Sequence, residues 1–252
     1  MTAPHITAVI LTLNEEEHLP GCLESLAGLC SRIVVLDSGS TDDTVEIATT
    51  RGAEVVHFSF QGYASQRTEG LRLAADADWT LFIDADERLT PACRAEIGER
   101  LSIAHDDVAG FWLPRKNIAF GRVLSGGGWW PDYQARLIRR GRGKYDRSRE
   151  VHEVVQFDGA TARLYNPFIH LNYATRREFM RKQRAYTLRH VQHALVAIPR
   201  RRGYVTRPVR EFWRRFVALK GYRDGSDGLF MAAVMAFEEV RSCLLLRRKE
   251  AA

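Results

Sequence analysis

Three short runs of acidic, amide and hydroxyl residues each follow directly on an apolar run, and they hold most of the groups in this sequence that can do chemistry. Thr12, Asn14 and Glu15 close the first, Asp37, Ser38, Gly39, Ser40, Thr41 and Asp42 the second, and Asp84, Ala85, Asp86 and Glu87 the third. Asp84 and Asp86 are two residues apart, so on an extended backbone both carboxylates point the same way. Paired carboxylates of this kind can hold Mg²⁺ or Mn²⁺, hard cations that bind carboxylate and phosphate oxygens together. Taken singly, Asp37 or Asp84 can equally serve as a cap on a loop or helix. Three such clusters in three equivalent places are harder to attribute to capping.

The elements that must position these groups alternate along the first hundred residues. Apolar runs at 6–12, 33–36, 54–58 and 79–83 read as parallel strands buried on both faces. Between them, helical spacing predicts helices over 16–29, 41–51 and 63–75, the second with Ser40 as N-cap and Asp42 and Asp43 in its first turn. A βαβαβαβ order implies a parallel sheet with right-handed crossovers and helices on both faces. Ligands of such sheets bind beyond the carboxyl ends of the strands, where all three clusters fall. From 108 the pattern changes to a further strand at 108–113, a Gly-rich turn and a short strand. After about 175 the sequence is helical and basic, with a break around "KGYRDGSDG".

Composition bounds the rest. With 45% hydrophobic and 27% charged residues the chain is neither disordered, collagenous nor a coiled coil. Cys22, Cys30, Cys93 and Cys243 form no C-x-x-C pair, which predicts reduced thiols in a reducing, cytoplasmic compartment rather than disulfides or zinc. No basic and apolar signal-peptide pattern opens the sequence. The longest apolar run, 229–237, is nine residues against the ~20 that span a bilayer. Neither G-x-x-x-x-G-K-[ST] nor a G-x-G-x-x-G after the first strand is present, which speaks against P-loop and dinucleotide folds. Gly126, Gly127 and Gly128 read as a flexible loop. The net charge of +6 conceals a division: residues 1–110 hold 7 Lys+Arg and 19 Asp+Glu (−12), residues 111–252 hold 30 and 12 (+18).

The runs "AVILTLNEEEHLPGCLESL", "IVVLDSGSTDDTVEIA" and "DWTLFIDADERL" resemble, over 6–90, the nucleotide-binding half of inverting family 2 glycosyltransferases of GT-A fold. "WWPDYQARLIRR", "REVHEVV" and "LKGYRDGSDGL" resemble the branch that includes lipopolysaccharide-core glucosyltransferases. The resemblance implies an α/β catalytic domain over 1–175, with a mostly parallel nucleotide-binding sheet flanked by helices. Its nucleotide-sugar half would be 1–110 and its acceptor half 111–175, followed by a basic helical region over 176–252. It implies a UDP-hexose donor held by Thr12, Asn14, Glu15, Asp37, Ser38, Gly39, Asp84 and Ala85, with Gln66 and Arg67 facing it. Asp86 would ligate Mg²⁺ or Mn²⁺, with His152 a second candidate for metal or acceptor. Arg136 would contact the diphosphate. Asp132 is the expected general base and Glu153 its rival.

Each later residue also has a plain structural reading: Asp132 as a turn residue after Pro131, His152 and Glu153 as a solvated strand end; His170 reads equally as a core histidine and as a ligand. Trp129 and Trp130 read equally as sugar-stacking platforms and as core. The basic half, with Arg176, Arg177, Arg181, Lys182, Arg184 and Arg189 in one group and Arg200, Arg201, Arg202, Arg207, Arg210, Arg214 and Arg215 in another, suits an anionic inner-membrane surface or a phosphorylated lipopolysaccharide-core acceptor. The resemblance leaves another cell-envelope polysaccharide or lipid carrier open as acceptor. A nucleic-acid-binding protein fits the +18 half by charge, but no nucleic-acid motif is visible and the acidic sheet edge would repel phosphates. The sequence thus predicts a peripheral cytoplasmic hexosyltransferase with no nucleic-acid partner.

Overall fold

The computed structural model describes residues 4–146, 154–193 and 203–250. Its backbone separates into two compact units, Met1–Arg115 with Tyr133–His170, and Lys116–Asp132 with Leu171–Ala252.

The N-terminal unit opens with β1 (Ile6–Thr12), α1 (Leu19–Leu26), β2 (Arg32–Asp37), α2 (Thr44–Thr50), β3 (Glu54–His57), α3 (Tyr63–Leu73) and β4 (Trp79–Asp84). These strands form the parallel order β3-β2-β1-β4 that the alternation predicts. The apolar runs are continuous because each strand is covered on both sides. Ala8, Ile10, Val35, Leu81 and Ile83 face one core with Leu19, Cys22, Leu23 and Leu26 of α1. Val9, Leu36 and Phe82 face the other, against Leu71 and Leu73 of α3. α3 comes so close that a Cβ on Gly70 would lie 2.7 Å from the Phe82 ring and 2.9 Å from Val9. Register aligns the carboxyl ends: Thr12 lies beside Asp37, and Leu11 beside Asp84.

A two-residue β5 (Glu87–Arg88) leads into α4 (Pro91–Ser102), which the alternation does not predict. Its signals are local, Thr90 accepting from the Cys93 amide at 3.1 Å and Pro91 in the first turn. Glu96 interrupts its inward stripe of Cys93, Ile97 and Leu101, which hides the helical period. That buried carboxylate accepts the amides of Tyr165 and Asn166. β6 (Val108–Ala119) is far longer than the strand expected at 108–113, and a turn leads from it to β7 (Arg122–Val123). β8 (Asp132–Arg139) runs antiparallel to β4 with Leu81 opposite Leu137. β9 (Gly143–Tyr145) and β10 (Val155–Phe157) form a separate hairpin. β11 (Ala160–Arg163) lies parallel to β6, and β12 (Phe168–Tyr173) antiparallel to β5. The expected GT-A arrangement, a parallel nucleotide-side sheet between helices with a basic helical C-terminal region, is therefore present.

The C-terminal unit holds the 116–132 loop, α5 (Arg176–His193), α6 (Gly203–Trp213) and α7 (Gly225–Glu250). Its core is aromatic. Phe179 of α5 is fully buried and packs edge-on against Tyr173 at 4.8 Å and Phe120 at 6.2 Å, with Trp129 6.4 Å away. Of its two readings, Trp129 takes that of a core residue. The glycine loop is not loose: Ser125 and Gly126 donate their amides to the Asp224 carboxylate at 2.7 and 2.9 Å, and Gly127 donates to Leu219 O at 2.8 Å. The break at "KGYRDGSDG" is thus a short turn whose aspartate fixes a loop nearly a hundred residues earlier. Among the described residues no helix is long and apolar enough to cross a membrane.

Candidate active site

The β1 and β2 ends are joined through one carboxylate. Asp37, only 3% exposed, accepts the hydroxyls of Thr12 (2.9 Å) and Ser40 (2.5 Å) on Oδ1, and the amides of Gly39 and Ser40 (both 2.9 Å) on Oδ2. Gly39 reaches this geometry at φ +103°, a region that disfavours any Cβ. Burial pushes the Asp37 pKa up, but the four donors outweigh it and hold the carboxyl below its ordinary value. Asp37 therefore shapes the loop instead of presenting an open carboxylate. Ser40 is engaged here, so it is not the N-cap of α2, which starts at Thr44 after Asp43. Around this centre, Asn14 Oδ1 accepts the Thr41 amide (2.8 Å), and the Glu15 amide donates to Thr44 Oγ1 (2.8 Å). Gln66, 1% exposed, donates from Nε2 to Ser38 Oγ and Phe58 O, each at 3.0 Å.

Because the depressed pKa belongs to the folded state, Asp37 contributes stability above the unfolded carboxylate value of about 3.9 that is lost as pH falls through the lower folded value. An Asp37→Asn variant is expected to show a shallower loss of stability on acidification, read by circular dichroism between neutral and strongly acidic pH. Identical acid limbs in the two proteins would remove this role.

The third cluster divides. β4 ends at Asp84, and Ala85 and Asp86 form the turn into β5, so the two-residue period no longer holds and the carboxylates part. Asp84 turns inward: Arg136 Nη2 donates to its Oδ2 at 2.6 Å and Arg67 Nη2 to its Oδ1 at 3.4 Å. Arg136, 4% exposed, also donates to Glu87 Oε1, which Arg115 approaches at 3.5 Å. Glu87 is fully buried, and its other oxygen accepts the Asp84 amide at 3.0 Å. Desolvation opposes ionisation of Asp84, yet Arg136 and Arg67 hold its carboxyl far below the carboxylate range. Burial, with the Asp84 charge adding to it, pushes Glu87 up despite Arg136. Arg136, expected at the diphosphate, here lies between the part-exposed Asp84 and the fully buried Glu87 and bonds both. Ala85 is 2% exposed and meets the turn through its carbonyl, which accepts Arg88 Nη1 at 2.7 Å.

Asp86 stands apart from the arginines. Its Oδ2 lies 3.2 Å from His170 Nε2, brought there by β12, where His170 registers against Glu87 of β5. A carboxylate and an imidazole at this distance are a donor pair for a borderline-to-hard divalent cation. Among the described residues no group of three or more His, Cys, Asp or Glu could hold a metal ion. His152 and Glu153 lie outside the described residues, as do Arg200, Arg201 and Arg202.

In the C-terminal unit, Asp132 is half-buried and accepts Asn117 Nδ2 at 3.1 Å. Asn117 is fully buried, also donates to Trp129 O (3.0 Å), and accepts Asn172 Nδ2 at 3.4 Å. An amide chain therefore sets the orientation of Asp132. Trp130 lies under Lys116, whose ammonium is 5.9 Å from the ring centre. The sequence placed Glu87 in the third acidic run without a role of its own, and passed over Arg115 and Asn117. No local pattern marks them, since Glu87 stands between Asp86 and Arg88 and Asn117 follows Arg115 and Lys116.

The model of the family described as "Glycosyl transferase family 2" matches residues 7–173. Lipopolysaccharide core biosynthesis glycosyltransferase LpsC of Rhizobium meliloti (strain 1021) is 37% identical over 164 residues, 61% of this chain and 58% of that protein. Uncharacterized glycosyltransferase RC0292 of Rickettsia conorii is 40% identical over 92 residues, 36% of this chain and 32% of that protein. The chain thus spans between a third and three fifths of the length of these curated relatives. Among solved structures, glucosyl-3-phosphoglycerate synthase from Mycobacterium tuberculosis, in complex with Mn²⁺, UDP and glucosyl-3-phosphoglycerate, is 26% identical with a TM-score of 0.38, covering 46% of this chain and 44% of that one.

Proposed function

The chain belongs to glycosyl transferase family 2, and from that membership we propose that it is an inverting, metal-dependent transferase moving a hexose from UDP-hexose to a lipid-linked glycan. The observation that carries the reading is the pairing of Asp86 with His170, 84 residues apart in sequence, while Asp84 is committed to Arg136. Asp86 and His170 would hold Mg²⁺ or Mn²⁺, and diphosphate oxygens would complete the shell, as is usual for cations bound with phosphates. When bound, the cation neutralises charge on the departing diphosphate.

The remaining roles fall to the chain's own groups. The loop fixed by Asp37 presents Asn14, Glu15, Ser38 and Gly39 to the nucleoside, and Gln66 keeps Ser38 in place. Asp84 and Glu87, with Arg136 between them and Arg67 and Arg115 beside them, form a charged network at the turn that carries Asp86. Asp132, oriented by Asn117, takes the proton from the attacking acceptor hydroxyl, and displacement on the face opposite the nucleotide inverts the anomeric centre. Glu153 is the second candidate for that proton. The similarity to LpsC supports a lipopolysaccharide-core acceptor, and the basic C-terminal unit supports work at the cytoplasmic face of an anionic inner membrane.

A titration of UDP and UDP-sugars with and without Mn²⁺, by calorimetry, tests the donor site. UDP should bind at least tenfold more tightly with Mn²⁺, a coupling of about 1.4 kcal/mol. Asp86→Ala and His170→Ala should each remove that gain while leaving metal-free UDP affinity unchanged. Metal-independent binding by the wild type would sink the reading.

A further inference from the structure

α6 turns an apolar ridge outward. Val205, Val209 and Trp213 recur every four residues and are 67%, 62% and 62% exposed. The other side is partly covered: Phe212 and Phe216 stack at 5.5 Å. Beside the ridge stand exposed Arg210 and Arg214, and the chain continues into exposed Leu219, Lys220, Tyr222 and Arg223. Residues 203–223 hold six Lys+Arg and a single acid, Glu211. That acid is occupied within the unit, accepting from Arg214 at 2.7 Å and Arg215 at 2.6 Å. Positive charge thus flanks an exposed Val-Val-Trp ridge, with no acidic partner for Arg210 or Arg223 among the described residues.

We propose that this face of α6 docks on an anionic lipid bilayer. The helix lies in the membrane plane, Val205, Val209 and Trp213 enter the boundary between headgroups and acyl chains, and Arg210, Lys220 and Arg223 meet anionic headgroups. A second copy is a poor occupant, because a two-fold interface would set this positive surface against itself. α7 also exposes Phe237 and Leu244, but these are seven residues apart and the arginine over Phe237, Arg241 at 5.3 Å, is paired with Glu238. The inference names the element behind the membrane contact proposed above and uses no residue of the donor site.

Co-sedimentation with vesicles of phosphatidylcholine, alone or mixed with phosphatidylglycerol, tests it. The full chain should pellet with the anionic vesicles at low salt and be released by high salt. Combined Val205→Ser, Val209→Ser and Trp213→Ser should weaken partitioning by about tenfold or more. Arg210→Gln and Arg223→Gln should each weaken it about fivefold, and guard against a fold defect in the ridge variant. Vesicle binding is measured without donor or acceptor, and UDP–Mn²⁺ binding separately on the same proteins, so each reading fails on its own result. Wild-type protein left in the supernatant at low salt overturns the docking face. So does unchanged pelleting of all three variants, or a wild-type dimer that the ridge substitutions convert to monomer in sedimentation velocity.

Discussion

Asp132→Asn should lower kcat by about 10²–10⁴-fold, the usual contribution of a positioned general base. The change is isosteric, and the new amide oxygen can still accept the Asn117 bond, so melting temperature should stay close to that of the wild type. UDP–Mn²⁺ affinity should also stay constant, because the donor-side groups belong to other residues. Steady-state kinetics, a thermal melt and UDP–Mn²⁺ calorimetry check all three. Full activity in this variant would reassign the proton to another group, with Glu153→Gln the next protein to make.

Arg136→Met should cost about 3–5 kcal/mol of stability, because it leaves the fully buried Glu87 and the part-exposed Asp84 without their shared cation. For a chain of this size that is a fall in melting temperature of about 10 °C. Arg67 stays 3.4 Å from Asp84 and Arg115 3.5 Å from Glu87, both longer than the bonds Arg136 makes to the same carboxylates. The deficit has a sign in pH: with the guanidinium gone, protonating the two carboxyls relieves the repulsion, so the gap from wild type should narrow as pH falls. Adding Glu87→Gln to Arg136→Met should restore part of the loss, since one buried charge then disappears. Calorimetry of the three proteins at two pH values decides it. A melting temperature within a degree or two of the wild type would show that Arg136 is not the keystone of the cluster.

Much of the donor edge is legible in the sequence for a physical reason. A parallel strand buried on both faces must be a continuous apolar run, so the first polar residues after it mark its carboxyl end. Thr12, Asp37 and Asp84 sit where those runs stop, and register then brings the three ends together. The same argument cannot say which partner each carboxylate takes. Asp84 and Asp86 are equivalent by spacing, but the strand ends between them, one meeting Arg136 from β8 and the other His170 from β12. α4 escaped because its inward face carries Glu96, whose partners at 165 and 166 are some seventy residues away. The glycine loop looked mobile because its anchor, Asp224, is 98 residues further on.

By itself the sequence determined the order of strands and helices as far as β4, the sheet edge on which the carboxylates gather and the division of charge along the chain. All of these follow from local periodicity and composition. Tertiary structure decided the division of labour among like residues. Asp37 organises a loop, Asp84 and Glu87 balance a buried arginine, Asp86 faces a histidine, Trp129 fills a core, and the Val205–Trp213 ridge of α6 faces out. Those assignments depend on desolvation and on partners dozens of residues distant, and no local pattern encodes either.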